Sequence, residues 1–243
     1  MLNLAKIKAV FFDIDNTLLD FDAYVKCCML DGFAHFGLPP FEMEMYDTFL
    51  SVNDKLWMEI EEGKLSFEGL QAIRWNRVFD ELNIDFDGPT FERYFRDYLY
   101  NSAIPVDGAR TLLRVLQGRA LLAVASNGPY EQQMHRLEIA DMKPDFDFFC
   151  ISEDIGAQKP TPAFFDRAFE ILNQNQFIPI RPDETLMIGD SVSADVIGGK
   201  SYGMQTCLLN RTDMPREYLE QKTQADLVVK NLRELAEIID NYS

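Results

Sequence analysis

Apolar and polar positions follow two different periods along this chain. Short β-branched, Leu-rich or aromatic runs stand at "KAVFFDID" (8–15), "ALLAVASN" (120–127), "FDFFCIS" (146–152), "TLMIGD" (185–190), "MQTCLLN" (204–210) and "ADLVVK" (225–230). Each is four to eight residues long and bounded by polar or turn residues, which predicts a buried strand. Before the last five lies "GARTLLRVLQ", among them "YEQQMHRLEI", "TPAFFDRAFEIL" and "SADVIGGKSY", and after them "LRELAEIID", all with helical spacing. Alternation of this kind predicts a doubly wound, Rossmann-like α/β core, a parallel sheet with helices on both faces. Residues 22 to 100 break the pattern. Four amphipathic helical stretches with aromatic anchors follow one another there, punctuated by Gly37-Leu38-Pro39-Pro40, Gly63 and Gly88-Pro89. The expectation is a sheet domain made of 1–19 and 104–243, interrupted by an all-helical domain over 20–103.

Composition narrows the function. Of 243 residues, 47% are hydrophobic and 26% charged, the balance of a globular protein rather than a disordered one. A net charge of −17 disfavours a nucleic acid polymer as partner, because phosphate backbones need clustered Lys and Arg. No apolar run spans a bilayer, and the lysines in "MLNLAKIKAVFF" stand where a signal peptide would be apolar, so a cytoplasmic protein with no membrane partner is expected. Cys27, Cys28, Cys150 and Cys207 form no CxxC pair and read as buried thiols, while His35 and His135 are too scattered for a histidine metal site. Oligomeric state is not legible.

Candidate chemistry gathers at strand ends. The first strand runs into Asp13-Ile14-Asp15-Asn16-Thr17, another into Ser126-Asn127-Gly128, a third into Gly189-Asp190. In open α/β sheets ligands bind beyond the carboxyl ends of the strands, so these tips converge if the strands are neighbours. Side chains two apart on extended chain point the same way, which lets Asp13 and Asp15 share one pocket. Clustered carboxylates call for a cation, and Mg²⁺ with oxygen ligands is the usual one where a phosphate completes the shell. Lys159, in the loop "GAQKPTP", brings a fixed positive charge to the same rim. Taken singly, Ser-Asn-Gly is a turn signal and Asp195 a helix cap; four such features in order are harder to dismiss.

"DIDNT", Ser126-Asn127, Lys159-Pro160 and "GDSVSAD" (189–195) resemble, in this order, the four motifs of the haloacid dehalogenase superfamily of phosphohydrolases. The helical insertion is similar to that family's C1-type cap, and "IPVDGARTLLRVL" to the segment that re-enters the core. A narrower likeness, to pyrimidine 5′-nucleotidases and N-acylneuraminate-9-phosphatase, is carried by "NDKLWMEIEEGKLSFEGLQAIRWNRVF" and "GDSVSADVIGGKSYGMQTCLLNR". The resemblance implies a nucleophilic Asp13 that forms an aspartyl-phosphate, Asp15 as acid and base, and Lys159 as a charge-neutralising catalytic residue. It implies phosphate donors at Thr17, Ser126 and Asn127, and Mg²⁺ held by Asp13, Asp190 and the main-chain carbonyl of Asp15. Asp195 then orients Lys159 or a water on the metal. An acid at position 15 separates phosphatases and mutases from dehalogenases, whose halide leaves without a proton. C1-cap likeness puts Glu62, Gly63 and Lys64 near the leaving group of a small phosphorylated metabolite. Pyrimidine nucleoside monophosphates are the first substrate expected and sugar phosphates (N-acylneuraminate-9-phosphate or phosphoglycolate type) the alternative, with a phosphomutase or a catalytically silent binding module further off.

Overall fold

The computed structural model describes residues 2–212 and 214–242. The chain divides into two compact units, Phe21–Ser102 and Met1–Asp20 with Ala103–Ser243. Each has its own core.

The helical unit consists, among its described residues, of α1 (Phe21–Phe36), α2 (Met43–Glu61), α3 (Phe67–Leu82) and α4 (Gly88–Tyr100). Helical spacing brings Phe49, Trp75, Phe79, Phe91 and Phe95 to one buried centre, where the Trp75 and Phe91 rings pack at a tilt, 4.2 Å apart between centroids. Trp57 and Phe67 pack at its edge, 5.8 Å apart. Local chemistry sets the helix ends. The Ser66 side chain accepts from the Gly69 amide to start α3, and Asp87 does the same for Thr90 at the start of α4. Gly63 takes φ +71 in the turn between α2 and α3, a conformation that costs a side-chain-bearing residue more.

One charge pair sits inside this aromatic core. Arg74 donates to both carboxylate oxygens of Glu92, at 3.1 and 2.6 Å, and to Asn53 Oδ1 at 3.2 Å, and its guanidinium lies 4.5 Å from the Phe95 ring centre. Burial pushes the Glu92 carboxyl above its ordinary range, against the pull of Arg74. Arg74→Met therefore strands a desolvated carboxylate, and thermal denaturation is expected to register a loss of about 3–5 kcal/mol. Arg74→Met combined with Glu92→Leu should recover most of it. Equal losses in the single and double variants would contradict this reading of the pair.

In the second unit, six strands among the described residues form one parallel sheet: β1 (Ala9–Phe12), β2 (Leu121–Ser126), β3 (Phe148–Ile151), β4 (Thr185–Gly189), β5 (Gln205–Leu209) and β6 (Leu227–Val229), in spatial order β3-β2-β1-β4-β5-β6. Strand periodicity of two divides the side chains between the faces. Val10, Phe12, Leu122, Val124, Leu186 and Ile188 pack with α5 (Ala109–Leu116), α6 (Tyr130–Ile139) and, further along the chain, the helix Leu232–Asn241. On the other face Phe11, Ala123, Ala125 and Met187 pack with Phe164, Phe165 and Phe169 of the helix Pro162–Asn173. This is the doubly wound α/β fold expected, with the helical insertion after its first strand.

Order reverses at β1, so the crevice such folds use for ligands opens beyond β1 and its neighbours β2 and β4. Those are the three strands whose ends carry Asp13, Ser126 and Asp190. Cys28, Cys150 and Cys207 are buried, and burial pushes the Cys150 thiol up to about 12. Cys27 is exposed, because it lies on the outer face of α1, so the expectation of buried thiols fails there. Among the described residues no helix is long and apolar enough to cross a membrane.

Candidate active site

Asp13 is the first residue beyond β1, and its amide still donates to the Ile188 carbonyl of β4 at 2.9 Å. The chain then turns tightly. The Ile14 carbonyl accepts from the amides of Thr17, Leu18 and Leu19, and Asn16 takes φ +59, a conformation its short polar side chain tolerates. Sheet hydrogen bonding thus fixes Asp13 and a local turn fixes the residues after it.

Lys159, only 1% exposed, reaches the same point from the far side of β2. Its Nζ donates to Asp13 Oδ1 at 2.8 Å and to Asp195 Oδ1 at 2.6 Å. The loop that carries it is clamped by Asn127, whose side-chain oxygen accepts from the Lys159 amide at 2.8 Å and whose Nδ2 donates to the Lys159 carbonyl at 2.9 Å. The side-chain amide of Asn127, a residue expected among the phosphate donors, also holds the lysine in place through these two main-chain bonds.

Asp195 lies in a wide turn, residues Val192–Ile197, where the amides of both Asp195 and Val196 donate to the Ser191 carbonyl. Its Oδ2 accepts from the Ser191 amide at 3.1 Å. Only glycine fits at 189, since a Cβ there would stand 1.9 Å from Asp195 Oδ2. Asp190 directly follows β4. Carboxylate oxygens of Asp13, Asp190 and Asp195 lie within 4.8 Å of one another.

Two of these carboxylates, Asp13 and Asp195, share one ammonium, and the electrostatics reflect it. Burial pushes the Asp13 carboxyl up to about 7; Lys159 opposes this and the neighbouring Asp195 and Asp15 add to it. Burial alone would lower the Lys159 ammonium, but Asp13 and Asp195 outweigh it and hold the group above its ordinary range. The donor set suits a hard divalent cation. All the candidate ligand atoms are carboxylate oxygens, and they lie close enough together to be bridged by one ion.

Two hydroxyls complete the rim. Thr17 is fully buried and its Oγ1 has no hydrogen-bond partner. Ser126 Oγ accepts from the Gly128 amide at 3.2 Å and from Gln133 Nε2 at 2.9 Å, which occupies its lone pairs and leaves its proton to be donated elsewhere. A buried hydroxyl left without a partner is costly, and a phosphate oxygen is the kind of acceptor that satisfies one.

Asp15 has partners of its own. Its carboxylate does not join the acidic cluster; Arg136 Nη1 donates to its Oδ1 at 2.7 Å and Gln133 Nε2 to its Oδ2 at 2.8 Å. Two residues apart, Asp13 and Asp15 are held by different cations. The chain has left strand conformation after Phe12, so the two side chains no longer follow strand alternation. Gln133 and Arg136 are the site residues that sequence reasoning missed. The available signal was their place on "YEQQMHRLEI": at i and i+3 they share a helix face with the buried Met134 and Leu137.

Glu62, Gly63 and Lys64 lie in the helical unit, in the turn between α2 and α3, where Lys64 Nζ stands 2.5 Å from Glu62 Oε2 in an exposed ion pair.

With this geometry the likeness to known proteins can be weighed. The family model described as haloacid dehalogenase-like hydrolase matches residues 7–203. Pyrimidine 5′-nucleotidase PynA of Streptococcus pneumoniae is 32% identical over 220 residues, covering 90% of this chain and 88% of its own. Pyrimidine 5′-nucleotidase YjjG of Escherichia coli is 30% identical over 203 residues, covering 83% and 85%. The crystal structure of the HAD-hydrolase YfnB from Bacillus subtilis bound to magnesium superposes with a TM-score of 0.83 at 30% identity, over 96% of this chain and 99% of that one. The strand-end acids, the buried lysine and the match over most of the chain agree: the chain belongs to the haloacid dehalogenase-like hydrolases, and it is a phosphatase among them.

Proposed function

We propose that this phosphatase is a Mg²⁺-dependent phosphomonoester hydrolase that works through an aspartyl-phosphate on Asp13, with pyrimidine nucleoside 5′-monophosphates as its substrates. The observation that carries the chemistry is Asp13 at the tip of β1, 2.8 Å from a buried lysine, with an independently held acid two residues on. The names of the two nucleotidases similar over most of the chain support the substrate class.

Asp13, Asp190 and the main-chain carbonyl of Asp15 would hold the ion, an assignment that rests on the motif resemblance and the clustered oxygens of Asp13 and Asp190. Bound there, Mg²⁺ would supply positive charge to the phosphoryl oxygens as they gain negative charge. Thr17 Oγ1 and the Ser126 hydroxyl donate to those oxygens, and the Lys159 ammonium adds a fixed charge beside them. An Asp13 carboxylate oxygen attacks phosphorus, the ester P–O bond breaks, and Asp15 delivers a proton to the leaving oxygen. Water then attacks the phosphorus of the acyl phosphate while Asp15 accepts its proton, freeing inorganic phosphate and Asp13. Proton transfer of this kind is worth about 10²–10⁴-fold in rate. Asn127 serves by fixing Lys159, and Asp195 by holding the lysine's second hydrogen bond. The role expected of Asp195 toward Lys159 fits that contact.

Specificity is assigned to the α2–α3 turn, Glu62, Gly63 and Lys64, on the C1-cap likeness. Steady-state assays on a panel of nucleoside monophosphates, sugar phosphates and phosphoglycolate, ranked by kcat/KM, test the substrate class. Pyrimidine nucleotides are expected at the top; a sugar phosphate ranked above them would transfer the assignment to the sugar-phosphate class. In Glu62→Ala/Lys64→Ala the order within the panel should change more than the rate on p-nitrophenyl phosphate. An unaltered order would remove this turn from the specificity determinants.

A further inference from the structure

The proposed chemistry gives Asp15 two opposite jobs, and the surroundings of its carboxylate bear on both. Gln133 and Arg136, one helical turn apart on α6, are buried to 0% and 1% exposure, whereas the Asp15 side chain is 35% exposed. Arg136 Nη1 donates to Asp15 Oδ1 at 2.7 Å and also to Gln133 Oε1 at 2.9 Å. Gln133 Nε2 donates to Asp15 Oδ2 at 2.8 Å and to Ser126 Oγ at 2.9 Å. These four bonds admit one orientation of the amide. A flipped Gln133 would set its oxygen against the Asp15 carboxylate and its NH₂ against the guanidinium, so Arg136 fixes which way the amide points.

We infer that Gln133 and Arg136 are positioning residues for the acid–base step: together they hold the Asp15 carboxylate away from the Asp13–Asp190–Asp195 cluster and aim it at the leaving group. The inference rests on the reading of Asp15 as acid and base. Three features support it. Each Asp15 oxygen gives one lone pair to α6 and keeps another for proton exchange at its exposed side. A carboxylate without these bonds would be drawn to the cation site next to it, where it could not serve the leaving oxygen. The same Gln133 amide occupies a Ser126 lone pair, so one side chain sets both the acid and a phosphate donor.

The consequence is dependence on the leaving group. An alkyl phosphate needs a proton on its departing oxygen and p-nitrophenyl phosphate needs almost none, while kcat/KM reports the steps up to the aspartyl-phosphate. Arg136→Met and Gln133→Met should lower kcat/KM on a nucleoside monophosphate about 10- to 100-fold, with a loss on p-nitrophenyl phosphate several-fold smaller. Arg136→Lys should recover part of the difference, since an ammonium keeps the charge and the donors but on a shorter and less rigid side chain. In an Asp15→Asn background, Arg136→Met should add little further loss. Circular dichroism and thermal denaturation check folding; if Arg136→Met does not fold, the Gln133→Met and Arg136→Lys comparisons carry the test. Equal losses on the two substrates, or fully additive losses with Asp15→Asn, would overturn the inference. Failure of the underlying reading looks different: Asp15→Asn itself would then show no leaving-group dependence. If Asp15→Asn shows it and the α6 variants do not, the positioning role alone is wrong.

Discussion

Asp13→Asn is expected to lower turnover of any phosphomonoester by about 10⁴-fold or more while leaving the protein folded, because an amide cannot form the acyl phosphate. Folding should survive for a reason visible in the site. Burial drives the Asp13 carboxyl up to about 7, so its surroundings already disfavour the charge that the substitution removes. Lys159 keeps its 2.6 Å bond to Asp195. The melting temperature should therefore stay level or rise, the usual relation between a strained functional group and stability. Steady-state kinetics on p-nitrophenyl phosphate with a parallel thermal melt check both halves. Substantial activity in a clean Asp13→Asn preparation would contradict the nucleophile assignment, and a collapse of the fold would contradict the electrostatic one.

Removing divalent ions should have an effect of similar size. Exhaustive chelation is expected to abolish activity, and added Mg²⁺ or Mn²⁺ to restore it, because the clustered donors are carboxylate oxygens. Ca²⁺ should restore little, since its larger and looser shell leaves the phosphoryl group misplaced. The acids should differ. Both oxygens of Asp195 accept bonds from protein, one from Lys159 and one from the Ser191 amide, so Asp195→Asn acts through the lysine. Asp190→Asn should raise the Mg²⁺ concentration needed for half-maximal rate about 10- to 100-fold, and Asp195→Asn distinctly less. Full activity in chelated enzyme, or a larger shift for Asp195→Asn, would contradict these assignments.

Much of this site was legible in the chain because strand ends are legible. An apolar run that stops at Asp13, Ser126 or Gly189-Asp190 marks the rim of a parallel sheet, and the spatial order β2-β1-β4 brings those rims together. What was not legible depends on partners that sequence spacing does not reveal. Asn127 reads as a phosphate donor, and spacing gives no sign that its amide also clamps the Lys159 main chain, 32 residues away in sequence. Asp15 reads as a companion of Asp13 until a turn carries it from strand geometry toward α6, whose Arg136 lies 121 positions on. The helical pattern of "YEQQMHRLEI" predicts α6 itself, but a buried Arg and Gln acquire meaning only once the carboxylate they hold is known. The helix expected over "SADVIGGKSY" is not regular at its start, where Ser191 accepts from two successive amides and widens the turn that presents Asp195.

The central claim is a covalent phosphoryl group on Asp13, and trapping it tests that claim most directly. In Asp15→Asn, p-nitrophenyl phosphate can still phosphorylate Asp13, since nitrophenolate leaves without a proton, but the water that would release the phosphate has lost its base. Rapid acid quench followed by peptide mass spectrometry should find one phosphoryl group on the peptide that contains Asp13, with a matching burst of nitrophenolate. Nitrophenolate released together with free phosphate, while Asp13 stays unmodified, would contradict the account.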